Sequence, residues 1–269
     1  MKYLITILLL FSFHIIKAQI GVAENNLKEG ELIYYYDKNW KGTSKEKAKN
    51  YKIITVNTYG EIIGEIYDYD KKGNLLFVYE NALEVYKSDD NESVYEGQIF
   101  SFYKSGNIYM EGNLIDGFRE GKLKYYNKSG NVVEELNYVF DYLNGESIWY
   151  YESGAVKQKV NYLNDKVEGK STWYYESGAV EQEGNYVNDK AEGKYTWYYK
   201  SGAVEQEGNY VNDKLEGKYT WYYESNIKLA EGNYVNDKAE GKWMYYNEFG
   251  KMESTGDYKW SKIRKLLRK

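Results

Sequence analysis

The chain has 269 residues and a net charge of −5, with no proline, no cysteine, one histidine, 34 tyrosines and seven tryptophans. The absence of cysteine excludes disulfides, thiolate metal sites and cysteine nucleophiles, and the acidic balance argues against nucleic acid as a partner. Without covalent cross-links, the protein must be held together by the burial of apolar and aromatic surface.

The first 19 residues have the layout of a secretory signal peptide. Lys2 gives a positive start, residues 4–16 form an apolar run, and Ala18 suits the position before a cleavage site. The run is shorter than the roughly 20 residues that span a membrane, and an uncleaved membrane anchor is the alternative. We therefore predict an exported protein that is periplasmic, associated with the cell envelope or secreted.

Residues 20–63 are predicted to contain a partial repeat, from Gly30 to Tyr36, followed by a polar insertion over residues 37–50. From Gly64 to residue 258, glycines divide the chain into tandem repeats. Between Gly64 and Gly97 the spacing is 33 residues, and we expect the surplus to lie in a polar loop over residues 87–93.

From Gly97 onward the repeats are regular, and each begins with a glycine 24 residues after the previous one: Gly97, Gly121, Gly145, Gly169, Gly193, Gly217 and Gly241. A second glycine follows nine residues later in each repeat except one, where Asn226 replaces it. Asparagine is the residue that best substitutes for glycine at positive φ. The second glycine position is therefore predicted to be a turn.

Each repeat contains two short segments rich in β-formers, such as residues 194–199 and 203–211. The short turns between them require antiparallel hairpins, and a 24-residue period leaves no room for a helix. The predicted fold is all-β: an elongated single-layer antiparallel sheet of tandem hairpins with a short C-terminal capping helix. Alternation along the strands places aromatic residues on both faces.

Glycines inside the second strand of each late repeat have a different predicted role. A missing side chain there would let a ring of the neighbouring hairpin lie over the backbone. The residues concerned are Gly184, Gly208, Gly232 and Gly256.

The pattern G-x-x-x-W-Y-Y-x-x-G-x-x-x-x-x-G-x-Y-x-N-D-K-x-E-G, as in residues 193–217, resembles the MORN repeat. It is most similar to the bacterial MORN-2 variant, which is often assigned to YwqK-like antitoxins of toxin–antitoxin systems. The resemblance covers residues 64–258 and implies an open, elongated antiparallel sheet. A looser resemblance links WYYESG and WYYKSG to choline- and cell-wall-binding repeats.

The sequence offers no catalytic constellation, and we predict that the protein is not an enzyme and has no cofactor or metal. A serine nucleophile needs a base, usually histidine, and the only histidine, His14, lies in the predicted signal peptide. Residues 67–74 resemble the start of a calcium-binding loop, with Asp68, Asp70 and Gly73 at its first, third and sixth positions, but the fifth position is Lys72 and the twelfth is Tyr79, where acidic ligands are needed. The acids of the Asn-Asp turns are expected to cap their own backbone: Asp165, Asp189, Asp213 and Asp237.

The recurring tryptophans and their neighbouring tyrosines have two interpretations: they pack the sheet, or they form a binding strip for a protein or a glycan. The candidate binding residues are Trp149, Trp173, Trp197, Trp221, Tyr175, Tyr199 and Tyr223. We predict a protein-interaction or scaffold surface with another protein as partner. The alternatives are an antitoxin or immunity protein and a cell-wall or glycan-binding module.

The last eleven residues, 259–269, form a basic amphipathic tail with six basic residues and no acid. Its apolar residues fall at helical spacing: Trp260, Ile263, Leu266 and Leu267. We expect a helix that folds over the last hairpin and covers the open edge of the array. The alternative is contact with an anionic membrane surface.

Overall fold

A computed structural model describes residues 31–38, 42–43, 45–55, 66–86 and 93–267. The predicted signal peptide and the opening glycines Gly30 and Gly64 lie outside the described residues. The chain divides into two compact units, Met1–Val132 and Val133–Lys269. We call them unit 1 and unit 2.

Unit 1 is a series of antiparallel strands, each paired with the next along the chain. A short 3-10 helix, Lys45–Lys47, lies in the predicted polar insertion. The strands are β1 (Glu31–Tyr36), β2 (Asn50–Thr55), β3 (Ile66–Asp70), β4 (Leu75–Tyr86), β5 (Ser93–Phe102), β6 (Ile108–Ile115) and β7 (Phe118–Tyr126).

The hairpin of β4 and β5 contains the extra residues between Gly64 and Gly97, which were expected to form a polar loop over residues 87–93. Its strands pair as far as Tyr86 and Ser93, so part of the surplus lengthens the strands. Ser93 was expected in the loop and belongs to β5; residues 87–92 lie outside the described part of the chain.

Unit 2 repeats the hairpin and ends in a helix, α1 (Trp260–Leu267). Consecutive strands pair antiparallel from β10 to β20. Two of the long strands are each divided by a short break, one into β9 and β10 and the other into β16 and β17. The all-β prediction of tandem hairpins with a C-terminal helix is confirmed. The strands are β8 (Val132–Val139), β9 (Tyr142–Leu143), β10 (Gly145–Tyr150), β11 (Val156–Leu163), β12 (Lys166–Tyr174), β13 (Val180–Val187), β14 (Lys190–Tyr198), β15 (Val204–Val211), β16 (Lys214–Leu215), β17 (Gly217–Tyr222), β18 (Lys228–Val235), β19 (Lys238–Tyr246) and β20 (Met252–Gly256).

The turns explain the glycine period. Gly178 has φ +89° and Asn226 has φ +62°, so the exchange of glycine for asparagine does preserve a left-handed turn residue. In the other turn, Asn188 and Asp189 both have positive φ, at 49° and 69°. Two successive left-handed residues form the type I′ turn, whose twist matches that of the flanking strands.

Aromatic rings lie directly over the strand glycines of unit 2, as expected. A Cβ atom on Gly184 would stand 1.9 Å from the ring of Tyr195, and one on Gly208 would stand 2.3 Å from that of Tyr219. Gly232 has the same relation to Trp243, at 2.3 Å. The expectation is wrong for Gly256, which has nothing within 4 Å, because in the described residues β20 is followed by a helix rather than by a further strand that could supply a ring.

In an earlier repeat, a valine and a serine occupy the space that a glycine and an aromatic ring share in the later repeats. There Val160 stands opposite Ser171, and both side chains are buried. A larger residue in the second strand is thus matched by a small one in the next hairpin, whereas glycine is matched by a ring. In both arrangements one large and one small side chain share the space, so that neither a void nor a clash is left.

Unit 1 buries an ion pair beside its small apolar cluster. Lys52 is 8% exposed and Asp68 is 3% exposed, and Lys52 Nζ lies 4.0 Å from Asp68 Oδ1. Burial raises the pKa of Asp68 to about 6, although Lys52 opposes the shift. The neighbouring Asp70 accepts hydrogen bonds from the backbone N–H groups of Lys72 and Asn74, so it caps the turn of this stretch.

Replacing Gly184 with alanine is expected to destabilise unit 2 by ~1–3 kcal/mol, because the new methyl group overlaps the Tyr195 ring. The measurement is denaturant unfolding followed by tryptophan fluorescence. Gly256→Ala is the matched control, since its Cβ meets open space, and it should leave stability within ~0.5 kcal/mol or raise it. Equal losses in both variants would contradict the ring-over-glycine packing.

The stability of unit 1 is expected to depend on pH through Asp68. Its pKa in the folded state, about 6, lies above the ordinary value of 3.8, so the folded state binds the proton more tightly than the unfolded state. Stability is therefore lost as the pH rises through 6, by up to ~2–3 kcal/mol. Hydrogen exchange of β2 and β3, corrected for intrinsic rates, should be slower at pH 5 than at pH 7.5. An Asp68→Asn variant with the same pH dependence would refute this assignment.

Candidate functional site

Strand alternation gives unit 2 two chemically distinct faces. On the aromatic face, the ring centroid of Tyr195 lies 4.9 Å from that of Trp197 and 5.3 Å from that of Tyr210. On the opposite, polar face, Lys170 forms an ion pair with Glu183 at 2.7 Å. We use these two names below.

The polar face carries aromatic residues, as predicted, but hydrogen bonds rather than ring stacking hold them. The Tyr198 hydroxyl donates to Glu183 at 2.7 Å, and the Tyr222 hydroxyl donates to Glu207 at 2.6 Å. The hydrogen bonds from Lys170 and Tyr198 hold the pKa of Glu183 below its ordinary value.

The four candidate tryptophans fall in one line across the strands of the aromatic face. Trp173 and Trp197 each stand directly opposite a glutamine on both neighbouring strands, whereas Trp149 and Trp221 have a glutamine on one side only. Cross-strand partners share a face of the sheet. The order is Trp149, Gln158, Trp173, Gln182, Trp197, Gln206 and Trp221. We call this line the Trp–Gln row.

The two ends of the Trp–Gln row differ in exposure. Trp149, Trp173 and Trp197 are half-buried, whereas Trp221 is 8% exposed. Trp221 is covered by α1, since its ring centroid lies 5.2 Å from that of Trp260. The sequence predicted a surface of four equivalent tryptophans. In the structure, three of these rings are partly exposed and the fourth, Trp221, is covered.

The helix α1 occupies the last part of the aromatic face. Ile263 and Leu266 are 0% and 5% exposed and pack into a cluster with Tyr219, Leu229 and Trp243. In the described residues β20 pairs only with β19, and its residues stay largely exposed. The helix was expected to cover the open edge of the array, and it covers the face beside that edge instead, because its apolar side needs rings to pack on.

The candidate tyrosines use their hydroxyls to join repeats. Tyr175 donates to the backbone oxygen of Tyr198 and Tyr199 to that of Tyr222, both at 2.6 Å. Tyr223 donates to the backbone oxygen of Tyr246 at 2.9 Å. Burial and the nearby Glu205 raise the pKa of Tyr199 to about 12. Their half-buried rings flank the row, but their hydroxyls are engaged within the protein.

The acids of the Asn-Asp turns also join repeats, which differs from the expected capping of their own turns. Asp213 Oδ1 accepts a hydrogen bond from the Ala191 N–H at 2.6 Å, and the Asp213 N–H donates to the Ala191 oxygen at 3.1 Å. The Asn212 N–H donates to Glu192 of the preceding repeat at 2.9 Å. The same clip recurs at Asp165, Asp189 and Asp237.

Sequence reasoning missed two shallow clefts on the polar face, of about 200 and 300 Å³. The smaller is lined by Lys194, Glu207, Asn209, Lys218 and Thr220. The recurring Lys and Glu of the repeat were the available signal. Their charges neutralise each other within the clefts, as in the 2.7 Å pair of Lys194 and Glu207.

The described part of the chain shows neither a metal-binding cluster nor a membrane-spanning helix. No group of three or more His, Asp or Glu side chains there is arranged to hold a metal ion. None of the helices in that part combines the length and apolar character required to cross a bilayer.

These features define a class of protein: a tandem β-hairpin repeat array with an aromatic face and a polar face, which is a repeat-based binding module. The chain belongs to the MORN repeat variant family, whose model matches it six times in tandem. The matched residues are 119–139, 143–164, 167–188, 191–212, 215–236 and 239–259. No curated protein matches the chain.

Solved structures resemble the chain only distantly. The crystal structure of TcdB2-TccC3-Cdc42 has 10% identity and a TM-score of 0.20, and the match covers 87% of this chain and 15% of that chain. A porin-like protein from Bacteroides uniformis has 9% identity and a TM-score of 0.17, with coverage of 84% and 93%. The chain thus spans a small part of the first of these proteins.

Replacing Tyr199 with phenylalanine is expected to lower the free energy of unfolding by ~1 kcal/mol, because the bond to the Tyr222 oxygen is lost. Denaturant unfolding measures the loss. The control is Tyr174→Phe, which removes a hydroxyl that has no hydrogen bond within the described residues. Equal stability of the two variants would show that the Tyr199 hydroxyl does not join the repeats.

Proposed function

We propose that this protein is an exported, non-catalytic binding protein and that the Trp–Gln row of the central repeats is its binding surface. The observation that carries the proposal is the row itself, in which Trp149, Trp173 and Trp197 alternate with Gln158 and Gln182. Flat, rigid rings bury contact area with little loss of side-chain freedom.

The chemistry of the recurring polar residues supports a non-catalytic role. The turn acids are engaged in clips, as Asp213 is with Ala191, and glutamates of the polar face are paired with lysines, as Glu207 is with Lys194. Groups that are already satisfied by their neighbours hold the array together. An active site would need one repeat to differ, and the recurring acids are used alike in each repeat.

Another protein is the partner that we propose. The seating of α1 on the Trp221 end of the row supports this choice, because α1 is a peptide segment that packs Trp260 onto a row tryptophan. Contact of the tail with a membrane receives less support, since Ile263 and Leu266 are buried against the sheet.

An antitoxin or immunity role is a narrower form of the same proposal, and it comes from the YwqK-like resemblance. Its test is genetic: a neighbouring toxin whose growth inhibition is relieved by co-expression of this chain. A toxin that stays fully active in the presence of the protein would remove this role and leave the binding surface as proposed.

Export rests on residues 1–19, with the positive Lys2 and Ala18 before the cleavage site. Expression of the full chain in a bacterial host, followed by fractionation and mass measurement, tests it. The expected product lacks His14 and is found outside the cytoplasm. An uncleaved chain in the cytoplasm would contradict export.

Combined replacement of Trp149, Trp173 and Trp197 with alanine is expected to abolish capture of the envelope partner by the immobilised protein. The half-buried rings supply most of the contact area, and central aromatic residues commonly contribute more than ~2 kcal/mol each to binding. Capture from an envelope extract, quantified by mass spectrometry, is the measurement.

Two further variants keep this test interpretable. Gln158→Leu with Gln182→Leu leaves every ring in place and should also weaken capture, which separates binding from folding. Asn185→Ala with Asn209→Ala alters exposed residues of the opposite face and should leave capture unchanged. Undiminished capture by a folded triple tryptophan variant would contradict the proposed surface.

A further inference from the structure

The spacing of the Trp–Gln row restricts what can lie along it. Successive tryptophans are two strands apart, which is ~9.6 Å for a sheet of ordinary geometry. A polyproline II helix repeats every three residues and advances ~9.3 Å in that distance. Across the two intervals from Trp149 to Trp197, the mismatch stays below ~1 Å. Every third residue of such a ligand would therefore meet a tryptophan.

The polar groups of the row match the backbone of such a ligand. A polyproline II segment has no internal hydrogen bonds, so its carbonyl oxygens are free acceptors, and the indole N–H and glutamine amide are donors. Among the described residues, Gln158, Gln182 and the open tryptophans have no hydrogen-bond partner for these groups. Gln206 is the exception, since its Oε1 accepts from Tyr219 at 2.8 Å.

The covered end of the row shows how the sequence changes where a helix is bound. Glu205 and Gln206 of one repeat correspond to Leu229 and Ala230 of the next, and both of these are 0% exposed in the cluster with α1. A helix packed on the face requires apolar residues at these positions. The two preceding repeats have glutamate and glutamine there, and the repeat before them has Lys157 and Gln158, which indicates an occupant that is more polar than α1.

The uncovered face carries both signs of charge: Lys157 and Lys200 lie 5.9 Å from the ring centroids of Tyr151 and Tyr175, and the glutamates beside Tyr175 are the groups that a cationic ligand would meet. Glu181 and Glu205 lie beside Tyr175 and act electrostatically on its hydroxyl, and neither has an ion-pair partner in the described residues. The helix α1 already places a cation over a ring of this face, because Lys262 Nζ lies 4.3 Å from the ring centroid of Tyr245. Tyr245 is the residue that corresponds to Trp221 in the next repeat.

We propose that the Trp–Gln row binds a proline-rich segment of a partner protein that adopts the polyproline II conformation and carries lysine or arginine. This rests on the proposed function, whose surface it shares. The site is continuous with the contact that α1 makes at Trp221. The 269 residues contain no proline, so a second copy of them does not supply this segment, and the proposed occupant is a segment of a different protein.

The test is a fluorescence titration of the full chain with synthetic peptides. The probe is a twelve-residue peptide of four Pro-Pro-Lys units, and the control is four Gly-Ser-Lys units with the same charge. The proline peptide is expected to bind at least ~10-fold more tightly, because its conformation is preformed. A peptide of two Pro-Pro-Lys units should bind more weakly than the longer one, since it reaches fewer rings.

Variants assign binding to the row. Trp173→Ala and Gln182→Leu are each expected to weaken binding about 10-fold or more, and Glu181→Gln with Glu205→Gln should reduce its salt dependence. Asn185→Ala with Asn209→Ala, on the polar face, should bind like the unaltered protein. Circular dichroism and the unfolding midpoint confirm that each variant is folded.

Three outcomes would overturn the inference: no binding of the proline peptide, equal binding of the Gly-Ser-Lys control, or full binding by a folded Trp173→Ala variant. A linear β-1,4-linked glucose hexasaccharide is titrated in parallel, and its binding at the row in place of the peptide would identify a glycan site instead. Loss of envelope-partner capture by the triple tryptophan variant, without any peptide binding, would retain the proposed surface and reject the proline-rich ligand.

Discussion

The approach of an aromatic ring to the bare backbone of the preceding strand is the contact on which unit 2 depends. A sheet of serial hairpins has no second layer to pack against over most of its length, so it must bury apolar surface along its own strands. Tyr195 and Tyr219 do this by lying on Gly184 and Gly208 at distances that no Cβ would permit. Both rings are 4–6% exposed, and they thereby supply the core that the architecture lacks.

Polar side chains then fix the distance between repeats so that each ring meets its glycine. Asp213 holds both backbone groups of Ala191, and Tyr199 holds the Tyr222 oxygen. These bonds connect residues 22 and 23 positions apart, so the central repeats are each tied to the next at two points. The identity of successive repeats follows from this, because each side chain must match an identical partner one period away.

The glycine period, the turns and the hairpins could be predicted from the sequence, because each depends on local backbone conformation; Asn226 even identified a left-handed position. The Asp213 clip could not, since its partner lies in another repeat and depends on the register between strands. The burial of Trp221 also escaped prediction. A signal for it was present: Leu229 and Ala230 replace the Glu-Gln pair of the neighbouring repeats, and such a change to apolar residues indicates a covered face.

Variation among these similar repeats therefore marks where the environment of the aromatic face changes. Positions that maintain the array, such as Gly208 and Asp213, recur because every repeat needs them. The positions beside the tryptophans differ where the environment changes: Leu229 and Ala230 lie beneath α1, and Glu205 and Gln206 stand at the same positions one repeat earlier. Glu205 is partly buried, and desolvation raises its pKa. In the proposed complex, a cationic group of the ligand would lie beside Glu205 and offset this desolvation.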